Sequence, residues 1–148
     1  MAPHSPHDDV YDVGISPDFE NDRTIFVVCR DMFLKSTNGG RTWTNVVRGL
    51  NNMFQFFTDT EQRFSLSIAP GDKHVLMLAS RGDGLYRSTD FGTTWARLEF
   101  GDAGNITKVV ISPHSSDVAY AAIAPQGLIA TRDAGASWEP IEIGRAHV

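Results

Sequence analysis

The sequence contains one cysteine in 148 residues, Cys29, so no intrachain disulfide framework can hold the fold. Cys29 follows Phe26, Val27 and Val28, an apolar run that predicts a buried strand. Burial there disfavours the thiolate, and the thiol reads as packing material. Positive charge is not in excess: 13 Lys and Arg stand against 18 Asp and Glu, a net charge of −5. Nucleic acid and anionic membrane surfaces are therefore poor partners. No apolar run approaches the ~20 residues that span a bilayer, so no membrane insertion is expected. The opening MAPHSPHDDV lacks the basic and apolar regions of a secretory signal. A sustained 3.6-residue periodicity is missing throughout, which argues against helices as the main elements. What the chain does have is 13 glycines, 7 prolines, 41% apolar and 21% charged residues. That is globular composition with many turn formers.

The stretch STNGGRTW at 36–43 recurs as STDFGTTW at 88–95 and as TRDAGASW at 131–138. The shared pattern is Ser/Thr, any residue, Asp/Asn, any residue, Gly, any residue, Ser/Thr, Trp. A second marker precedes each copy: Ser16-Pro17, Ala69-Pro70 and Ser112-Pro113. The interval from that proline to Trp43, Trp95 or Trp138 is 25 or 26 positions in every case. Three copies of one supersecondary unit explain such spacing. The tryptophans are 52 and then 43 residues apart, the excess falling in an insertion at 51–62. Periods of roughly 40–50 with short strands indicate propeller blades.

Each unit reads as four strands separated by turn formers. The first gives 12–15, 25–28, 33–35 and 44–47. The second gives 64–68, 75–79, 84–87 and 96–98, and the third 108–111, 118–122, 128–130 and 139–141. The unbroken apolar run at 75–79 suits a strand covered on both faces. The expected fold is all-β, three four-stranded antiparallel blades of an incomplete propeller. The blades occupy about 11–50, 63–100 and 105–141, behind a flexible stretch at 1–10.

The motif has a physical reading that requires no ligand. It links the third and fourth strands. Asn38, Asp90 or Asp133 accepts backbone hydrogen bonds of its own turn. Gly40, Gly92 or Gly135 supplies a positive φ. Ser36, Ser88 or Thr131 ties down further backbone. Trp43, Trp95 or Trp138 closes the turn by packing its ring inward. A phosphate-gripping loop would need Lys and Ser/Thr after its second glycine and a helix beyond; here Gly40 is followed by Arg41, Thr42 and Trp43.

With these residues the sequence resembles the Asp-box, or bacterial neuraminidase repeat, family of β-propellers, over about residues 11–141. Residues 88–95 match the motif in full. Residues 36–43 depart at Asn38, and 131–138 at Thr131. Such propellers include sialidases, xyloglucan-cleaving glycosidases, sortilin-type receptors and photosystem II assembly factors. The resemblance implies a structural box on the outer part of each blade, with ligands on the opposite face. It also implies that a sialidase would carry an Arg triad, a Tyr nucleophile with a Glu partner and an Arg-Ile-Pro motif. No Arg-Ile-Pro occurs, and Tyr11, Tyr86 and Tyr120 fall in or beside strand-like runs.

Strands alternate in direction, so box turns share a face with the first-to-second loops. The opposite face carries the second-to-third hairpins and the blade connections. Its candidate ligand residues are Arg30, Asp31, Arg81, Asp83 and Gln126, with Phe54, Phe56 and Phe57 in the insertion as a stacking surface. Arg81-Gly82-Asp83 spells an integrin-recognition tripeptide, but that tripeptide is common by chance, and Arg30-Asp31 and Arg81-Gly82-Asp83 read as solvated hairpin turns. Two facing carboxylates would be needed for a glycosidase. Asp31, Asp59, Glu61 and Asp83 have no spacing that selects a pair. His4, His7, Asp8 and Asp9 sit in a Pro-containing N-terminal stretch and read as an unliganded tail. No metal and no cofactor is expected. The closing residues 142–148 resemble a translated sequencing adapter, which predicts a native sequence truncated near Ile141. The expected function is a non-enzymatic binding scaffold for a protein or carbohydrate. The alternatives are a glycoside hydrolase whose acids lie in absent blades, and an assembly or sorting factor.

Overall fold

The computed structural model describes residues 10–29, 32–46, 64–80, 84–98, 106–124 and 127–144. It is an almost all-β structure of three four-stranded antiparallel sheets. Blade 1 holds β1 (Val10–Ile15), β2 (Ile25–Cys29), β3 (Phe33–Ser36) and β4 (Thr44–Asn45). Blade 2 holds β5 (Phe64–Ile68), β6 (Leu76–Ser80), β7 (Gly84–Ser88) and β8 (Ala96–Leu98). Blade 3 holds β9 (Ile106–Ile111), β10 (Ala119–Ile123), β11 (Gly127–Thr131) and β12 (Glu139–Ile141). Strand order in each sheet follows the chain, so each blade is a simple meander. The twelve strands fall where sequence periodicity placed them, with ends shifted by one or two residues. One element was not expected: α1 (Phe19–Asp22), a single helical turn between β1 and β2.

The period-2 alternation decides how blades stack. The sheet of blade 2 turns one face to blade 1 and the other to blade 3. From blade 2, Leu66, Leu76, Leu78 and Tyr86 meet Phe26, Val28 and Phe33 of blade 1 in one core. From its other face, Met77, Ala79 and Leu85 meet Val109, Ile111, Ala119 and Ala121 of blade 3 in a second core. β6 serves both cores, and its five residues are all buried. That is why 75–79 shows no alternation: both faces of the strand are interior.

The first strands of the blades, β1, β5 and β9, lie side by side. Polar side chains link them across the blade junctions. Leu66 N–H donates to Asp12 Oδ2 at 2.7 Å, joining β5 to β1. Val109 N–H and Ile111 N–H donate to the hydroxyls of Ser65 and Ser67 at 3.1 and 2.9 Å, joining β9 to β5. Blades in a propeller share no backbone ladder, so these side-chain acceptors satisfy N–H groups of the innermost strands.

The motif tryptophans do not all pack as expected. Trp95 is buried, 6% exposed. Trp43 and Trp138 are only half-buried. Trp95 sits between blades 1 and 2, edge-on to Phe33 of blade 1 at 5.2 Å between centroids, and Trp138 packs at the margin of the core that blades 2 and 3 share.

Candidate functional site

At one end of the blade stack, each motif turn closes on itself through the same bonds. In blade 2, Ser88 Oγ donates to Asp90 Oδ1 at 2.8 Å and accepts from Gly92 N–H at 2.9 Å. Asp90 accepts from Thr94 N–H at 2.9 Å and from the Thr94 hydroxyl. Trp95 Nε1–H reaches back to the Gly92 carbonyl at 3.2 Å. Thr131, Asp133, Gly135, Ser137 and Trp138 repeat this arrangement in blade 3.

Blade 1 reaches the same closure with one bond reversed. Asn38 Oδ1 accepts from Arg41 N–H and Thr42 N–H at 3.1 and 3.0 Å. Its amide then donates to the Thr42 hydroxyl at 2.7 Å, where Asp90 and Asp133 accept. An amide thus replaces the carboxylate because the hydroxyl opposite it can act as acceptor as well as donor. Ser36, Ser88 and Thr131, the first motif positions, are each 1% exposed and anchor the turn from within. Sequence reasoning gave them a lesser part than the acidic residue.

The fourth motif position holds a second feature not read from sequence. Gly39, Phe91 and Ala134 all have positive φ, at 74°, 59° and 62°. Phe91 is contacted from blade 1 by two side chains. The Lys35 ammonium lies 4.3 Å from its ring centroid and donates to its carbonyl at 2.7 Å. Phe26 packs edge-on to it at 5.5 Å. Burial lowers the pKa of Lys35, opposed by the charges of Asp90 and Asp22.

The first-to-second loops lie at this same end, as expected. Gly39 N–H donates to the Arg23 carbonyl, Phe91 N–H to that of His74 and Ala134 N–H to that of Asp117. Between blades, Lys73 Nζ sits 3.0 Å from Asp18 and 3.2 Å from Asp22 of α1. Asn21 and Lys73 hold Asp18 below its ordinary range. For Asp22, burial pushes upward, but bonds from Ser16, the Thr24 N–H and Lys73 outweigh it and the net shift is down.

Hydrogen bonds from the Ser137 hydroxyl and N–H, then Thr131, lower Asp133 from 3.8 to about 2. In Asp90, burial raises the pKa, but the bonds from Thr94 and Ser88 prevail and the net shift is down. A depressed folded pKa means that the unfolded chain binds more protons. The carboxylate's contribution is therefore present above 3.8 and is lost as pH falls toward about 2. Asn38 cannot titrate. Asp133→Asn should therefore flatten the loss of stability between pH 4 and 2, measured by urea denaturation across that range. An unchanged slope would show that Asp133 does not carry it.

The opposite end is where the second-to-third hairpins connect β2 to β3, β6 to β7 and β10 to β11. Arg30, Asp31, Arg81, Asp83 and Gln126 lie in these hairpins, and Phe54, Phe56 and Phe57 in the insertion. All eight lie outside the described residues, as do His4, His7, Asp8, Asp9, Asp59 and Glu61. One described residue at this end was missed in the sequence. The Arg97 guanidinium lies against Gly84, where an added Cβ would meet Arg97 Nη2 at 3.0 Å. Arg97 pairs with Tyr86 across β7 and β8, and its side chain runs toward Gly84 at the start of β7. Its position on a two-faced edge strand gave no sequence signal. Among the described residues no three His, Cys, Asp or Glu side chains cluster to hold a metal. Among the same residues no helix is long and apolar enough to cross a membrane.

Residues 86–97 match the BNR/Asp-box repeat family. The chain is similar to the xyloglucanase Xgh74A of Acetivibrio thermocellus, 37% identical over 67 residues that make up 45% of this chain and 8% of the relative. In fold it resembles YCF48 from Cyanidioschyzon merolae, with TM-score 0.67 and 22% identity, covering 93% of this chain and 38% of that one. A structure of YCF48 bound to D1 peptide superposes with TM-score 0.65 and 15% identity, over 89% of this chain and 39% of that one. The GH74 enzyme of Niastella koreensis superposes with TM-score 0.68 and 20% identity, over 90% of this chain and 22% of that one. The chain thus spans well under half the length of each of these proteins.

Proposed function

We propose that these three blades of an Asp-box β-propeller form a binding scaffold, recognising a protein segment or a glycan on the face opposite the boxes. The observation that carries this reading is the closure of the box turns. Their hydroxyls, carboxylates and indole N–H groups bond within the turn, which leaves that end with a structural task. Arg30, Asp31, Arg81, Asp83, Gln126 and the insertion phenylalanines would then form the ligand face, with Arg97 as a further cation beside the 81–83 hairpin. A peptide ligand has support from the similarity in fold to YCF48, whose structure holds D1 peptide.

The second reading is part of a glycoside hydrolase, favoured by the similarity to Xgh74A. A glycan array including xyloglucan oligosaccharides, beside a peptide array, separates the two. The scaffold reading expects retention of a ligand with no new reducing ends. Release of reducing ends from xyloglucan would overturn it. Arg97→Ala should weaken retention, and unchanged retention would remove Arg97 from the ligand face.

A further inference from the structure

We propose that Asn38 is a modification site: when the first box turn opens, the Gly39 nitrogen attacks its carboxamide, and the resulting aspartate completes the Asp-box of blade 1.

Box 1 departs from the other two at adjacent positions. Position three is Asn38 where boxes 2 and 3 carry Asp90 and Asp133, and position four is Gly39 where they carry Phe91 and Ala134. The backbone does not call for glycine at position four, since Phe91 and Ala134 hold the same positive φ as Gly39. No other asparagine in the chain precedes a glycine. A carboxamide followed by a residue without a side chain is open to attack by the next backbone nitrogen, because nothing stands against ring closure. Space around Gly39 is open as well: an added Cβ would meet nothing within 4 Å. Asn38 and Gly39 are exposed, so water reaches the ring once it has formed.

The reaction balances with water alone. The Gly39 nitrogen gives its proton to solvent base and bonds to Asn38 Cγ. The Cγ–Nδ2 bond breaks, and the amide nitrogen takes up a proton and leaves as ammonia. Water then opens the succinimide at one of its two carbonyls. Opening at Cγ breaks the bond to the Gly39 nitrogen and gives aspartate on an ordinary backbone. Opening at the main-chain carbonyl gives isoaspartate, with the chain running through Cγ. One water is consumed, one ammonia is released, and nothing is oxidised or reduced.

The closed turn holds both reacting groups apart. The Gly39 N–H donates to the Arg23 carbonyl at 3.0 Å. Asn38 Oδ1 accepts from the Ser36 hydroxyl at 2.9 Å and from the Arg41 and Thr42 N–H groups at 3.1 and 3.0 Å. Asn38 Nδ2 donates to the Thr42 hydroxyl at 2.7 Å. Turning Cγ onto the Gly39 nitrogen gives up these bonds, so the rate follows the open fraction of the turn. The aspartate product has its partners waiting. Asp90 and Asp133 accept from the N–H and the hydroxyl of position seven, Thr94 and Ser137. Thr42 occupies that position in box 1, and its hydroxyl has only to turn from acceptor to donor. Isoaspartate lengthens the backbone by one carbon and draws the carboxylate away from the Arg41 and Thr42 N–H groups.

Peptide mass mapping after incubation in mildly alkaline buffer, with and without urea above the unfolding midpoint, reads the site. In urea, Asn38 should convert ahead of every other asparagine. In the folded chain its conversion should be slower by about tenfold or more. No preference for Asn38 in urea would remove the site, and equal rates in the two conditions would remove the turn as its gate. Thr42→Val releases the carboxamide nitrogen and should hasten conversion in buffer while the far-ultraviolet circular dichroism stays that of the parent. An unchanged rate in that folded variant would also refute the gate. Asn38→Asp stands for the product and should keep the thermal midpoint of the parent at neutral pH. A clear fall in midpoint would overturn the claim that aspartate completes the box.

Discussion

Replacing Trp95 by alanine is expected to destabilise the chain by about 3–5 kcal/mol. The same change at Trp43 should have markedly less effect. The difference follows from position in the stack. Trp95 is 6% exposed and belongs to the core shared by blades 1 and 2, where it meets Phe33 edge-on. Trp43 opens the series, is half-buried, and makes the same Nε1–H bond to its glycine carbonyl, at 3.1 Å. The turn bond is thus held nearly constant between the two variants, and the comparison isolates burial between blades. Urea denaturation of the two variants reads the difference. Equal losses at Trp43 and Trp95 would mean that the indole acts mainly through its turn.

The second large effect is expected at a glycine. Gly92→Ala should cost about 2–5 kcal/mol, made of the left-handed backbone and forced overpacking. Gly92 has φ +83°, and an added Cβ would stand 2.6 Å from Phe26 Cε1 of the preceding blade. Phe26 is fully buried and has no room to retreat. Gly40 has a comparable φ of +96°, but its nearest neighbour would be Trp43 Cζ2 at 3.6 Å, an ordinary contact. Gly40→Ala should therefore carry only the backbone term, about 1–2 kcal/mol. Gly135 falls between them. An added Cβ would meet Leu98 Cδ1 at 2.5 Å, at the end of a flexible, partly buried side chain that can move. The order Gly92, Gly135, Gly40 in thermal midpoint loss tests this reading. Equal losses at all three would assign the glycine to φ alone.

Much of the fold was legible because it is repeated. One strand pattern read once is weak, but Ser-Pro markers and tryptophans at fixed intervals make three readings support one another. Residues 75–79 were legible as a strand covered on both faces. α1 was not, because one turn of helix contributes no periodicity. The helix depends on its setting instead: Ser16 Oγ donates to Asp22 at 2.7 Å, and Arg23 closes the turn with φ 53°. The glycine of the motif was read correctly as a positive-φ position. Its second task was hidden, since contact with Phe26 is set by a residue 66 positions earlier in another blade. The unequal burial of the tryptophans was hidden for the same reason. The tryptophan closes the same motif at each site, and the stack distinguishes them. Position four could not be read either: Gly39, Phe91 and Ala134 share a backbone conformation but no side-chain chemistry. At the end opposite the boxes, Arg97 escaped notice because nothing local marks it, and its approach to Gly84 exists only once β7 and β8 pair.

The account rests on the box turns being closed structural units whose polar groups are committed to one another. Backbone hydrogen exchange tests this most directly. The N–H groups of Gly92, Thr94, Gly135 and Ser137 lie in surface turns yet donate to side chains of their own box. They should exchange as slowly as the N–H groups of β6 and β10, with the free energy of opening of a whole blade. Fast exchange at these four positions, beside slow exchange in the strands, would show open turns available to a ligand and would contradict the assignment of function to the opposite face.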